Sequence, residues 1–380
     1  VNAPLAPRAR TLEVEDVAGF DALLAGGATS MHGWHFQAVD LRQRSAELLG
    51  LRASGAIFMG CRFAAGVEAR LRSGGALIFP TLPNIPFNAY RGHLYTAAEL
   101  YKGIGGAEYE AVPDAQIYQW TLQDGHGREL NATLATAMHD HAISDSLDDF
   151  LDACAAAGKR VVGVMGGHAA ARDSIEYEQA ARLGRTLAHQ GFMVATGGGP
   201  GAMEAANLGA YLSPYRADAL DSALRTLGAV PGFRPSVTEW ARAAESVLAK
   251  FPGGADSLGI PTWFYGHEPP NLFATRIAKY FANSIREAVL LARCNGGIIF
   301  LPGAAGTVQE IFQDACENYY AADAAVTPMV LVGRRHWEEE LPVRPLLAAL
   351  ANGRAMAERM RVVDTIDEAC ALLSGWSGQP

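Results

Sequence analysis

Five cysteines in 380 residues, odd in number and with no CxxC pair, leave neither a disulfide framework nor a zinc site to read. Cys61, Cys154, Cys294, Cys316 and Cys370 are scattered, and the expectation is small apolar thiols in a reducing compartment. Basic charge is also short: 31 Lys and Arg face 40 Asp and Glu, for a net charge of -9 and a pI near 5.6. A duplex-binding surface needs a basic excess, so nucleic acid is not an expected partner. A small anionic ligand stays open, because a local ring of arginines and amides can hold it on an acidic protein. Long apolar runs are missing as well. The most apolar stretch, AVLLARCNGGIIFLPGAAG, is interrupted by Arg293 and glycines, so no membrane span is expected. The opening VNAPLAPRAR lacks the apolar stretch of a signal peptide, and a cytoplasmic location is expected. Two common phosphate motifs are absent too. The glycines of GGGPGAME lie too close together for GxGxxG, and no GK[ST] follows either glycine loop. NAD binding and P-loop ATP hydrolysis both lose support.

What is present is ample core material, with 49% hydrophobic residues. The length suggests two domains, or one domain with a large extension. Residues 1–150 read as an N-terminal α/β extension of unknown role, with strand-like runs at Gly55–Gly60 and Ala76–Pro80 after a helix-like ELLGLRA. Leu130–Asp152 looks helical. His32, His35, His139 and His141 have HxxH and HxH spacing, but no carboxylate cluster completes a metal set, and no metal is expected. No repeat of fixed period stands out.

From Lys159 the pattern sharpens. VVGVM is a strand ending in Gly166-Gly167, and YEQAARLGRTLAHQG has the periodicity of a helix with Gly191 at its C-terminal stop. FMVAT then runs into Gly197-Gly198-Gly199-Pro200-Gly201 and the helix AMEAANLGAYL. After an insertion at about 213–258, the stripe Phe273, Ile277, Phe281, Ile285 and Val289 predicts a long helix over about 272–294. Lys279, Arg286 and Arg293 share a neighbouring face of that helix. GIIFL, PGAAG and TVQEIFQDACENYY follow, then PMVLVG and MRVVDTIDEACALL. Alternating strands and helices predict a doubly wound parallel sheet over residues 151–380. Both glycine loops lie between a strand and a helix N-terminus, where backbone can approach a ligand and free N–H groups favour phosphate. On pattern alone, Thr307-Val308-Gln309-Glu310 reads as a helix capping box and Arg286 as a solvated position on a helix face.

VATGGGPGAMEAANLGA and LPGAAGTVQE resemble the two signatures of the LOG (Lonely Guy) family, GGGxxGxM and PGGxGTxxE. SLGIPTWFYGHEPPN, PMVLVGRRHW and VVDTIDEA extend the likeness over about 159–375. The resemblance implies a Rossmann-like core and a phosphoribohydrolase, which cuts a nucleoside 5′-monophosphate into free base and ribose 5-phosphate without a metal or cofactor. It implies a catalytic pair, Glu310 and Arg286. Around these it implies a substrate site of Gly166, Gly167, Gly197, Gly198, Gly199, Gly201, Met203, Glu204, Asn271, Pro302, Gly303, Gly306 and Thr307. The residue types suit the reaction: a carboxylate can stabilise the oxocarbenium-like charge at C1′ or activate water, and an arginine can fix phosphate or ribose oxygens. Glu287 and Ala304 depart from the family pattern. The alternative is a non-catalytic nucleotide or molybdenum-cofactor binding protein of the same fold; a further one is an oligomeric scaffold. The resemblance also implies a homodimer or higher homo-oligomer, paired through the helices around 272–294 and 307–320.

Overall fold

Short runs of β-branched and aromatic residues, closed by glycine or a polar turn, become the strands of two parallel sheets in the computed structural model, which describes residues 12–123, 129–264 and 268–376. The opening residues 1–11 and part of the TWFYGHEPPN turn, 265–267, lie outside the described residues. The chain divides into two compact units, residues 1–93 with 122–146, and residues 94–121 with 147–380. The segment Leu94–Thr121, assigned to the N-terminal region from sequence, packs in the second unit.

In the first unit β1 (Leu12–Val14), α1 (Val17–Ala25), β2 (Trp34–Gln37), α2 (Ser45–Gly50), β3 (Ile57–Met59), α3 (Val67–Ser73) and β4 (Leu77–Phe79) alternate. The four strands are parallel and adjacent in chain order. Leu12 pairs with Trp34, His35 with Ile57 and Ile57 with Leu77, so the chain advances one strand every 20–22 residues or so. Gly33, Gly55 and Gly75 turn the same corner of each coil with positive φ, and the Gly33 and Gly55 amides donate to the next coil's glycine carbonyl at 3.0 and 3.3 Å. The Phe36 and Phe58 rings stack between coils, with centroids 4.4 Å apart. This is a repeat, contrary to the sequence expectation. The coils share backbone shape, the corner glycine and core position, while most other positions differ in residue.

The second unit holds α4 (Ala97–Leu100) and most of α5 (Pro113–Gln123). The helix α6 (Leu130–Ala156) begins in the first unit and ends in the second. There follow β5 (Val161–Met165), α7 (Ile175–His189), β6 (Met193–Thr196), α8 (Ala202–Tyr211), α9 (Ala217–Gly228), α10 (Val237–Lys250), β7 (Leu258–Gly259), β8 (Arg276–Ile277), α11 (Asn283–Ala292), β9 (Ile298–Phe300), α12 (Ala305–Tyr320), β10 (Met329–Val332), α13 (Arg344–Ala351), β11 (Met360–Val363) and α14 (Ile366–Ser374). The seven strands are all parallel in the order β11-β10-β9-β5-β6-β7-β8. α7 packs on α8 and α14, and α12 on α11 and α13. Right-handed crossovers in opposite directions put these two groups on opposite faces, so the sheet is doubly wound. α7 and α8 approach so closely that a side chain at Gly184 or Gly209 would strike the other helix's backbone.

The expected helix over 272–294 is corrected: only Asn283–Ala292 is helical. Arg276 and Ile277 instead join the sheet edge beside Leu258 and Gly259. The four-residue stripe misled because this stretch is buried on every side; Phe273, Ala274, Ile277, Ala278 and Tyr280 are all core. Lys279 therefore shares no helix face with Arg286. Its ammonium is buried on Asp114 Oδ1 at 2.6 Å, beside the Trp263 indole N–H at 2.9 Å, while the Tyr109 hydroxyl donates to Asp114 Oδ2 at 2.6 Å. That pair ties Leu94–Thr121 into the second unit. No described helix is long and apolar enough to cross a membrane. Among the described residues no group of three or more His, Cys, Asp or Glu could hold a metal, and all five cysteines are free.

Candidate functional site

The chain leaves β5 toward β6, β7 and β8, then returns to the other side of β5 for β9, β10 and β11. The switch between β5 and β9 is where ligands bind in open α/β sheets, outside the carboxyl ends of the strands. Three loops leave strands there: Gly166-Gly167 after β5, Gly197–Gly201 after β6 and Pro302–Gly306 after β9. Backbone bonds lace them together. The Gly167 amide donates to Pro302 O at 3.2 Å, and the Ala202 amide donates to Gly167 O at 3.1 Å. Gly201 must be glycine: its φ is +72°, and a first side-chain carbon would lie 2.6 Å from Gly167 O.

A buried polar chain holds the GGG loop from behind. The Thr196 hydroxyl donates to Asn207 Oδ1 at 2.7 Å and accepts from the Gly198 amide at 3.0 Å. Asn271 donates from Nδ2 to Gly199 O at 3.2 Å and to Asn207 Oδ1 at 3.0 Å, and its Oδ1 accepts from the Phe273 and Ala274 amides. Asn271, expected at the substrate, is fully buried and works as a brace for the loop. Thr196 and Asn207 escaped the sequence reading. The only hint was that AMEAANLGA, apart from Glu204, places Asn207 among apolar residues.

Arg286 and Glu310 meet above these loops. α12 starts at Ala305 with Ala304 at the cap position and no side-chain cap, so Thr307 is already in the first turn and Glu310 in the second. The capping-box reading is thereby removed: Glu310 is too far along the helix to bond back to its start. Arg286 is no solvated surface residue either. Its Nε donates to Ile260 O at 2.7 Å and Nη2 to Gly197 O at 3.3 Å, while Nη1 lies 3.6 Å from Glu310 Oε1. Both side chains are only 12% exposed. A side chain on Gly197 would run into the guanidinium, so this glycine makes room for Arg286. Burial raises the Glu310 carboxyl above its ordinary range; Arg286 opposes the shift and Glu287 adds to it. Glu287 is itself held by Asn283 Nδ2 at 2.6 Å and Gln309 Nε2 at 2.5 Å.

Beside this pair the first turn of α12 is open. The first helical bond runs from the Val308 amide to Ala304 O, and the amides of Ala305, Gly306 and Thr307 have no acceptor among the described residues. Gly306 has free space where a side chain would stand, while the Thr307 side chain is buried against Gly303. His336 Nε2 reaches Gly303 O at 2.9 Å, a contact no motif announced. Met203 lies against Gly197 and Gly199, its methyl carbon 3.0 Å from where a Gly199 side chain would begin. Pro302 is exposed at the lip.

Glu204 is placed elsewhere than expected. It is fully buried, with Oε1 taking Arg172 Nη2 at 2.5 Å and Oε2 taking Nε at 3.0 Å. Arg172 also donates to Trp240 O at 3.0 Å and lies over the Trp240 ring at 4.6 Å. A carboxylate committed to one guanidinium holds structure, so Glu204 forms part of a floor. Above that floor opens a pocket of about 560 Å³, walled by Pro200 and Gly201 on one side and by Phe233 and Arg234 from the 213–258 insertion on the other. His168 and Glu268 face each other at its rim, 3.5 Å apart. Arg172 and Trp240 could not be found from sequence, since nothing local links them to Glu204.

The family model that matches is that of the SLOG cluster4 family, over residues 159–213, which spans β5 to α8 and the first glycine loop. No match was found among curated proteins. Among solved structures, the molybdenum cofactor binding protein from the phototrophic bacterium Rippkaea orientalis is 17% identical, with a TM-score of 0.36, over 57% of this chain and 95% of that one. Two structures of the molybdenum cofactor carrier protein from Chlamydomonas reinhardtii are similar. One is 16% identical, with a TM-score of 0.34, over 56% of this chain and 94% of that one. The other is 18% identical, with a TM-score of 0.35, over 57% of this chain and 99% of that one.

Proposed function

We propose that the second unit binds a small phosphorylated ligand of nucleotide type, held by its phosphate on the glycine loops at the β5/β9 switch. The observation that carries this reading is the open first turn of α12: the uncommitted amides of Ala305, Gly306 and Thr307 lie on the Glu310 helix, beside the Arg286 guanidinium. A phosphate there gains the partial positive charge of the helix end and a nearby cation. Arg286 favours binding over turnover, because two of its five donors are already fixed on the carbonyls of Gly197 and Ile260. A phosphorylated cofactor such as the molybdenum cofactor falls in the same ligand class. The test is a matched titration of AMP, adenosine and ribose 5-phosphate by calorimetry and thermal shift. The 5′-monophosphate should bind more tightly than the nucleoside by about 1.5–3 kcal/mol per charge-assisted contact. Equal affinity for AMP and adenosine would remove the phosphate cradle.

A second reading, hydrolysis of the N-glycosidic bond, is favoured by one feature: a shielded carboxyl, Glu310, with a raised pKa next to a guanidinium. Such a group can face the developing charge at C1′ and take a proton from water. Release of free base from AMP, GMP, CMP, UMP or isopentenyl-AMP, lost in Glu310→Gln, would establish it. Tight binding without release leaves the binder.

A further inference from the structure

The coils of the first unit end in a pocket that the glycine-loop site does not use. β2, β3 and β4 are parallel, so their carboxyl ends point the same way and the residues that follow them line up. Ala38 and Asp40 follow β2, Gly60 and Arg62 follow β3, and Thr81 and Leu82 follow β4; together with the loop to Tyr90 they enclose about 500 Å³. Asp40 and Arg62 sit side by side on adjacent coils. Ala38 holds a left-handed φ of +55° at the edge of this pocket, a strained conformation for a residue with a side chain.

The chemistry of the walls narrows the ligand. Three of the coil-end amides there are spent between coils: Ala38 donates to Met59 O at 2.8 Å, Gly60 to Phe79 O at 3.0 Å and Arg62 to Val39 O at 3.0 Å. These three are not free to cradle an anion. Asp40 is neutralised by its neighbour, taking Arg42 Nε at 2.9 Å and Nη2 at 2.5 Å. Thr81 and Tyr90 donate their hydroxyls to Gly60 O and Pro80 O. Arg62 and the Asn88 side-chain amide remain; Arg62 is the one cation of the lining without an ion pair among the described residues, and it is exposed beside the Asp40 carboxylate, whose charge Arg42 already offsets. Opposite the polar coil ends stand Leu82, Ile85 and Phe87, half-buried, with the Tyr90 ring covering Gly60. One planar guanidinium facing an apolar and aromatic wall suits a single carboxylate on an apolar body.

We propose that this pocket binds a small monocarboxylate with an aromatic or branched aliphatic body, its carboxylate on Arg62 and its body against Ile85 and Phe87. Titration of the full chain with phenylacetate, 2-phenylethanol and 2-phenylethylamine varies charge at nearly constant shape. Phenylacetate should bind about tenfold more tightly than the alcohol, as a charge-assisted bond predicts, and the ammonium should bind least. Arg62→Gln, at an exposed position, should leave the fold intact and bring acid and alcohol within about twofold. Ile85→Glu should abolish acid binding by placing a like charge in the apolar wall. Excess AMP should leave phenylacetate binding unchanged, since the phosphate loops lie in the other unit. Equal binding of the three probes, no binding of phenylacetate, an acid preference that survives Arg62→Gln, or displacement by AMP would each overturn the assignment.

Discussion

Replacing Arg172 with Met tests the floor beneath the glycine loop. The Met side chain keeps an apolar body against Trp240 but removes the charge. Glu204, fully buried, then loses the partner of both its oxygens, now held at 2.5 and 3.0 Å. Breaking a buried pair by removing one member costs about 3–5 kcal/mol, because the other charge stays behind without compensation. For a domain of this size each kcal/mol moves the melting midpoint by about 2–4 °C, which predicts a drop of roughly 6–20 °C for the second unit. Removing both charges in Arg172→Met/Glu204→Leu should recover most of the loss, to within about 1–2 kcal/mol of the parent, since a well-packed apolar pair can replace a buried ionic one. Circular dichroism melts of parent, both single variants and the double variant close the cycle. A single variant within about 1 kcal/mol of the parent, or a double variant no better than Arg172→Met, would refute the idea that Glu204 depends on Arg172.

Four other outcomes are expected. Glu310→Gln should keep near-parent stability, since Glu310 caps no helix end, and lower any base release at least about a hundredfold; full release would exclude it from the chemistry. Asp314, buried with Oδ2 unbonded among the described residues, has its carboxyl pushed well above the ordinary range by burial, with Glu317 adding to the shift. The folded state therefore holds this proton longer than the unfolded one, and stability falls as pH rises above 3.8; Asp314→Asn should gain stability over the parent as pH is raised from 5 to 8, and a constant difference between the two across that range would disprove this. Gly209→Ala should cost about 3 kcal/mol, because its methyl meets the Ala181 backbone, whereas Gly197→Ala should mainly displace the Arg286 end and weaken nucleotide binding; equal stability losses would contradict that contrast. Ile285 and Tyr320, 42% and 80% exposed on α11 and α12, are proposed to lie in a homodimer contact, and a sedimentation mass of one 40.3 kDa chain at micromolar concentration would exclude it.

The second sheet was legible because its strands are compact apolar runs cut off by glycine, and its helices bury one face. Val161–Met165, Met193–Thr196 and Ile298–Phe300 lie within the runs read as strands. The glycine loops came with them, being tied to strand ends. Misreadings arose where periodicity did not mean what it usually means. The stripe at Phe273, Ile277 and Phe281 came from near-complete burial, and Thr307-x-x-Glu310 lay inside a helix already begun at Ala305. Distant partnerships were beyond reach: Arg172 with Glu204, Asn271 with Gly199, and Asp114 with Lys279 depend on tertiary geometry. The coils of the first unit were hidden because stacking fixes their length and corner glycines and leaves the other positions free to vary.

The buried Asp114–Lys279 pair bears on how this protein can be shortened. A chain begun at residue 151, where the sequence suggests a clean cut, would leave the buried Lys279 ammonium against the Trp263 ring with its carboxylate gone. It would also discard Tyr101, whose hydroxyl holds Pro270 O at 2.6 Å, next to the Asn271 brace. A cut at residue 151 therefore runs through the second unit itself. Excising the stacked coils while keeping the glycine-loop site requires retaining residues 94–121 and rejoining them to the chain ahead of β5, a splice rather than a truncation.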